Sequence, residues 1–361
     1  MNHSRKMLTL MLILFLAVMT AACGGSSNQG SGTPATPAPE SQTPAAETPS
    51  QPADDFPNKP IKLIVPFSAG GGFDALGRQV AKSMSATLGV PVNVENVAGA
   101  GQRIGATQFE RSDADGYTLI FPDDSGLYTA QLIEGEQEYD VTKWRWIGAI
   151  RKGVGGFVVP SNSPYKTIEE FYNSENPIRL GDIGLGGGFF APHVVMIESW
   201  KMDNASFVTG YKGNSEIIPG MLRGEADAYY NVVLSSVMKW VESGDLRVLA
   251  ITNDKRVDYL PDVPTLKEFP DIPSEALYNI STLYGIAVPP GTPENRIAIL
   301  EDALKKASED AELQAWAKES GFEDDIAFRS SSEYQEFKAK QFSTYDQFTQ
   351  PLKDWAAKLS Q

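Results

Sequence analysis

Two glycine-rich turns and one histidine are the features from which chemistry would have to be built in this chain. The first turn reads Phe67, Ser68, Ala69, Gly70, Gly71, Gly72, Phe73, Asp74. It joins the β-rich run Ile61-Lys62-Leu63-Ile64-Val65 to a stretch with helical spacing, marked by Leu76, Val80, Met84 and Leu88. Where a strand's carboxyl end meets a helix's amino end, the first helical N–H groups are unpaired and the dipole is positive, so an anion is favoured. Glycine lets the backbone approach such a ligand closely, and Asp74 is placed to cap the first helical turn. The second turn, Gly184, Leu185, Gly186, Gly187, Gly188, Phe189 and Phe190, precedes a helix-like segment carrying His193. Two such turns more than a hundred residues apart suggest amides meeting across a cleft between two domains. As plain tight turns they would need no ligand.

Other chemistries lack parts. Beyond residue 23, His193 is the only imidazole, no G-x-S-x-G elbow occurs and no second histidine can complete a zinc pair. His193 therefore reads as a helix-face residue packing near the second turn. Gly70, Gly72 and Ala75 satisfy the dinucleotide spacing G-x-G-x-x-G/A, and Glu95 follows about 20 residues on, where such folds place a ribose-binding acid. An exported nucleotide-dependent oxidoreductase is thus the competing reading. Export away from an obvious cofactor supply counts against it, and no cofactor is expected.

The elements that must hold these turns repeat one grammar. Strand-like runs lie near residues 61–65, 91–94, 117–121, 155–159, 178–180, 206–208, 226–230, 246–251 and 284–288. Helical spacing fills 74–88, 191–200, 216–223, 293–306, 311–320 and 332–348. The alternation predicts an α/β protein with mostly parallel sheets. The folded stretch of about 300 residues exceeds what one core usually serves, so two domains are expected.

The amino-terminal end has a different character. Arg5 and Lys6 precede an uncharged run from residue 7 to 22, too short for a stable membrane span, and Cys23, the only cysteine, closes it. Residues 24–55 contain no Val, Ile, Leu or aromatic side chain and read as a disordered tether. Removing residues 1–23 takes two of the 31 basic residues and none of the 46 acidic ones, so the formal charge passes from −15 to −17. Such a surface is a poor partner for nucleic acid. The run Thr20-Ala21-Ala22-Cys23-Gly24 resembles a bacterial lipobox, with Thr20 standing where a leucine is usual. That resemblance implies a signal peptide at 1–22 and lipidation of Cys23, followed by a linker to residue 55.

Taken together, several segments resemble the extracytoplasmic solute receptors of the tripartite tricarboxylate transporter family, also called Bug receptors. They are the strand and turn over residues 64–74, Val94-Glu95-Asn96 with Gly99-Ala100-Gly101, Asp115-Gly116-Tyr117-Thr118-Leu119, and Tyr211-Lys212-Gly213. The later ones are Leu246-Arg247-Val248-Leu249-Ala250-Ile251-Thr252, Leu260-Pro261-Asp262-Val263-Pro264-Thr265-Leu266 and Val288-Pro289-Pro290-Gly291-Thr292-Pro293. The resemblance implies a two-domain periplasmic-binding-protein-like fold with a ligand cleft between the domains. Domain 1 would comprise 56–157 plus 284–361 and domain 2 158–283, with hinge strands near 155–159 and 284–288. It implies a non-enzymatic receptor, expected to be a monomer, that delivers a small organic carboxylate or amino acid to membrane permease subunits. A sensor subunit of a signalling system has the same sequence features.

The same resemblance implies that residues 67–74 hold a ligand carboxylate with Gly187, Gly188, Phe189 and Phe190, and with Tyr211, Lys212 and Gly213 nearby. This chain departs from the family pattern at Arg103, at Asp123 and Asp124, at Phe189 and Phe190, and at Leu283 and Tyr284. The phenylalanines suit an apolar or aromatic ligand body, so a monocarboxylate is expected over citrate. Asp123 and Asp124, with Ser125, follow a strand's carboxyl end, where one of the acids can receive a ligand amine or merely turn the chain. Cys23→Ser should release the protein from the membrane fraction without unfolding it. Retention of lipid by the variant would refute the anchor.

Overall fold

The computed structural model describes residues 55–185, 188–211, 213–320 and 325–360. Cys23, the export segment, all of the linker before residue 55, Gly187 and Lys212 lie outside the described residues. The chain opens on β1 (Ile61–Val65), α1 (Gly72–Leu88), β2 (Val92–Asn96), α2 (Arg103–Glu110), β3 (Thr118–Ile120), α3 (Asp124–Glu134) and β4 (Arg145–Lys152). Its middle contains β5 (Gly155–Pro160), α4 (Ile168–Tyr172), β6 (Ile178–Gly181), α5 (Phe190–Trp200) and β7 (Ala205–Val208). There follow α6 (Asn214–Leu222), β8 (Tyr229–Asn231), α7 (Met238–Glu242), β9 (Leu246–Thr252) and α8 (Glu275–Asn279). The last stretch is β10 (Leu283–Val288), α9 (Glu294–Ser308), α10 (Ala311–Glu319), β11 (Ile326–Arg329), α11 (Ser331–Gln347) and α12 (Thr349–Leu359).

The strands form one large sheet and two smaller ones. A six-stranded sheet runs β11-β4-β10-β3-β1-β2, while β8-β5-β9 and the pair β6-β7 belong to the middle of the chain. Leu180 bridges to Ala228, tying the pair to the triplet. β1 is an interior strand, apolar on both faces: Ile61, Leu63, Ile64 and Val65 are fully buried, with β2 and β3 parallel on either side. α1 covers one face through Leu76, Val80 and Met84, whose spacing places them on one side of the helix. Gly89, at φ +70°, ends it by donating its N–H to the Ser85 carbonyl.

The sheets are mixed rather than mostly parallel. β10 runs antiparallel to β3 and β4, β11 antiparallel to β4, and β5 antiparallel to both β8 and β9. The cause is the double crossing of the chain. It leaves the large sheet after β4 and returns to it as β10, so the returning strand meets its neighbours head to tail without a helical crossover.

The two crossings are adjacent. Gly153, between β4 and β5, donates its N–H to the carbonyl of Thr282, just before β10, at 2.8 Å. Beside them the buried Arg151 guanidinium pairs with Asp325 at 2.7 Å, and Ser235 from the middle of the chain donates to the same carboxylate oxygen at 2.7 Å. A third link is α12, which packs on α3 and α5. Its Trp355 donates Nε1–H to Glu198 at 3.0 Å and meets the Phe207 ring edge-on at 5.1 Å.

Gly153 has no room for a side chain: a Cβ there would lie 2.7 Å from the Val232 carbonyl oxygen and 3.1 Å from Thr282 Cβ. Backbone atoms cannot rotate away, so Gly153→Ala should lose about 1–3 kcal/mol by overpacking. Urea unfolding checks this, and unchanged stability would contradict the crowding at the crossing.

Candidate functional site

The first glycine turn is held by its own aspartate. Gly70 takes φ +82° and donates its N–H to Asp74 Oδ2 at 2.7 Å, while Arg78 one turn on pairs with Oδ1 at 2.9 Å. Burial alone would raise the Asp74 pKa, but Arg78 and the Gly70 N–H outweigh it and hold the carboxyl below its ordinary value. Asp74 thus fastens the turn, while the helix N-cap is Gly71, with no side-chain cap bond. The first N–H groups of α1 therefore lack a side-chain acceptor, and residues 69–72 are exposed around them.

The second turn is held by His193 and Asp182, both fully buried. His193 Nε2 accepts the Tyr230 N–H at 3.0 Å, which places the ring proton on Nδ1, 2.6 Å from Asp182 Oδ2. Asp182 Oδ1 accepts the Gly184 N–H at 2.7 Å. With both ring nitrogens engaged, His193 orients the turn before α5 and has no lone pair left to act as a base. The N-cap of α5 is Phe189 and that of α6 is Gly213, again without side-chain cap bonds.

A cavity of about 190 Å³ lies where these parts converge. Phe67 and Phe73 line it from either end of the first turn, Gly188 and Phe189 from the second, and Asp123 and Ser125 from the start of α3. Val232, Thr282, Tyr284 and Tyr345 complete much of the wall. Phe67 and Phe73 stack at 4.1 Å, and Tyr284 meets Phe73 edge-on at 4.7 Å.

The two acids at the head of α3 diverge. Asp123 is the N-cap: its Oδ1 accepts the Gly126 N–H at 3.4 Å, and its peptide is clamped by Gln102, whose Oε1 accepts the Asp123 N–H at 2.8 Å. Deep placement, and then the neighbouring Asp124 charge, push the Asp123 carboxyl up to about 6. Asp124 points the other way into a buried ion pair with Lys338 of α11. Burial raises the Asp124 pKa and lowers that of Lys338, each opposed by the other's charge. Lys338 also donates to Gln341 at 2.8 Å, and Ser125 donates to the same Gln341 oxygen at 3.2 Å.

Several residues singled out by sequence lie elsewhere. Ser68, Ala69, Gly70, Gly71 and Gly72 form the exposed turn beside the cavity rather than its wall. Phe190 is buried facing a separate space of about 280 Å³ with Leu185 and Ala356. Tyr211 donates to Glu225 at 3.0 Å, and it and Gly213 lie outside the cavity wall. Glu95, the candidate ribose ligand, is engaged by Lys62 at 2.8 Å and Gln108 at 2.9 Å. Among the described residues, no group of three or more His, Cys, Asp or Glu side chains could hold a metal, and no helix is long and apolar enough to cross a membrane. Sequence reasoning missed Gln102, Lys338, Gln341 and Tyr345. The spacing Tyr334, Lys338, Gln341, Tyr345 along one face of α11 was the available signal.

Residues 76–352 match the family model described as the tripartite tricarboxylate transporter family receptor. The chain belongs to this family. The receptor is 33% identical over 296 residues to the Cupriavidus necator "UPF0065 protein in gbd 5'region", covering 80% of this chain and 86% of the relative. A TctC solute-binding protein from Polaromonas shares the fold with TM-score 0.69 at 24% identity, over 82% of this chain and 98% of that one. An R. palustris protein solved with adipate matches with TM-score 0.65 at 21% identity, over 82% and 98% of the two chains. The chain is accordingly a receptor of this transporter family with the fold of a solute-binding protein.

Breaking the buried pair beneath the site should be costly, because one charge is left uncompensated. Lys338→Met should lose about 3–5 kcal/mol, and Asp124→Asn combined with Lys338→Met should recover most of it. Chemical denaturation of the single and double variants measures the coupling. An additive double variant would refute the pairing.

Proposed function

We propose that this receptor captures a small organic carboxylate in the aromatic cavity and delivers it to a tripartite tricarboxylate-type membrane permease. The observation that carries the reading is that two helix starts without side-chain caps, α1 and α5, flank one cavity walled by Phe67, Phe73 and Phe189. Unpaired N–H groups favour a carboxylate despite the acidic surface, since long-range repulsion is screened within about 8 Å at physiological salt. The adipate in the R. palustris protein of the same fold supports a carboxylate as the ligand class.

In this reading domain 1 comprises 56–157 plus 284–361, and domain 2 comprises 158–283. The domains swivel where Gly153 meets Thr282, next to the two expected hinge strands. Lipid on Cys23 and the linker before residue 55 hold the receptor, as a monomer, at the outer face of the membrane. The site binds without converting its ligand, since His193 is committed to Asp182 and Tyr230.

A thermal-shift screen of small carboxylates tests the proposal. A true ligand at about 100 times its Kd should add about 2.7 kcal/mol of stability and be recovered unchanged. A monocarboxylate should outperform citrate. Chemical conversion of the ligand, or stabilisation by NADH alone, would overturn the receptor reading.

A further inference from the structure

We propose that Asp123 receives a cationic amine in the cavity, so that the ligand is a small zwitterion, a carboxylate bearing an amine such as an amino acid or a betaine. The inference rests on the carboxylate reading above and narrows it. Of the two adjacent acids only Asp123 lines the cavity, since Asp124 is turned into its pair with Lys338. No Lys, Arg or His lines the cavity among the described residues, and Asp123 is its only ionisable carboxylate. Lys338, the nearest cation partner of this cluster, is committed to Asp124 and to Gln341.

The surroundings of Asp123 favour a cation as well. Its carboxylate accepts a long bond from the Gly126 N–H, at 3.4 Å to Oδ1. Across the cavity Gly188 comes so near that a Cβ there would lie 2.8 Å from Asp123 Oδ2, which places this oxygen at the junction of the two domains. The rings of Phe67, Phe73, Phe189 and Tyr284 complete the apolar wall beside this carboxylate, so the low-dielectric surroundings strengthen its attraction for a cation. A zwitterion would set its amine against Asp123 and its carboxylate toward the amide-rich start of α1. A dicarboxylate of the same length would bring a second negative charge against Asp123 with no cation among the described wall residues to offset it.

Calorimetry at pH 7.5 with matched pairs tests this: L-phenylalanine against 3-phenylpropanoate, L-norvaline against pentanoate, and adipate as the dianion. The amino member of at least one pair should bind about tenfold or more tighter than its unsubstituted partner, and adipate should be weaker than both. Asp123→Asn and Asp123→Ser, which both keep an N-capping side chain for α3, should abolish the difference while retaining the unsubstituted acid. Equal or tighter binding of the unsubstituted acids or adipate to the unaltered protein would overturn the inference and leave the carboxylate reading standing. A preference that survives in both variants would equally remove Asp123 from the role. Failure of every compound in the set to bind would bring down the carboxylate reading, and this inference with it.

Discussion

The contact between Asp124 and Lys338 decides how the site is built. Both side chains are about 1% exposed, and they come from elements more than two hundred residues apart in sequence. Removing an ion from water costs several kcal/mol even after relaxation, so such a pair contributes little net stability compared with apolar packing. Its value is geometric. It fixes the start of α3 against α11, and with Asp124 turned inward the adjoining Asp123 opens onto the cavity. The positive end of α3 and the clamp from Gln102 hold that arrangement in one register.

The two glycine turns show a shared solution. Each turn is tied by a buried carboxylate that accepts a turn N–H, Asp74 for Gly70 and Asp182 for Gly184. Each carboxylate is in turn held by a cationic or imidazole partner on the following helix, Arg78 or His193. The backbone amides ahead of α1 and α5 are thereby positioned before any ligand arrives. Preorganisation of this kind lowers the ordering cost of binding. It also explains why a histidine beside the site is unavailable for chemistry.

The sequence made the strand-turn-helix units legible because their signals are local. Buried β1 is a nearly continuous apolar run, and α1 carries its apolar residues on one face. What escaped depends on contacts distant in the chain. β4 was not recognised because Arg145, Arg151 and Lys152 mask a strand buried along most of its length. Lys338 and Gln341 were unreadable as core because polar residues at helical spacing usually mark a solvent face, and only the Asp124 carboxylate brought by folding makes them interior. Phe189 and Phe190 could not be separated from sequence, since successive residues of a helix start point about 100° apart and only one can face the cavity. The antiparallel pairing of β10 likewise follows from the return of the chain, which no local pattern records.

α12 has a consequence for how the receptor can be observed. It lies on α3 beside the large sheet while its Trp355 rests on Phe207 of β7 and Glu198 of α5. A rotation of one sheet against the other cannot leave that indole undisturbed. Either the helix moves with α3 and the ring leaves its carboxylate partner for water, or it moves with α5 and sheds its contact with α3. Indole emission depends on the polarity around the ring, so Trp355 would report such a displacement optically.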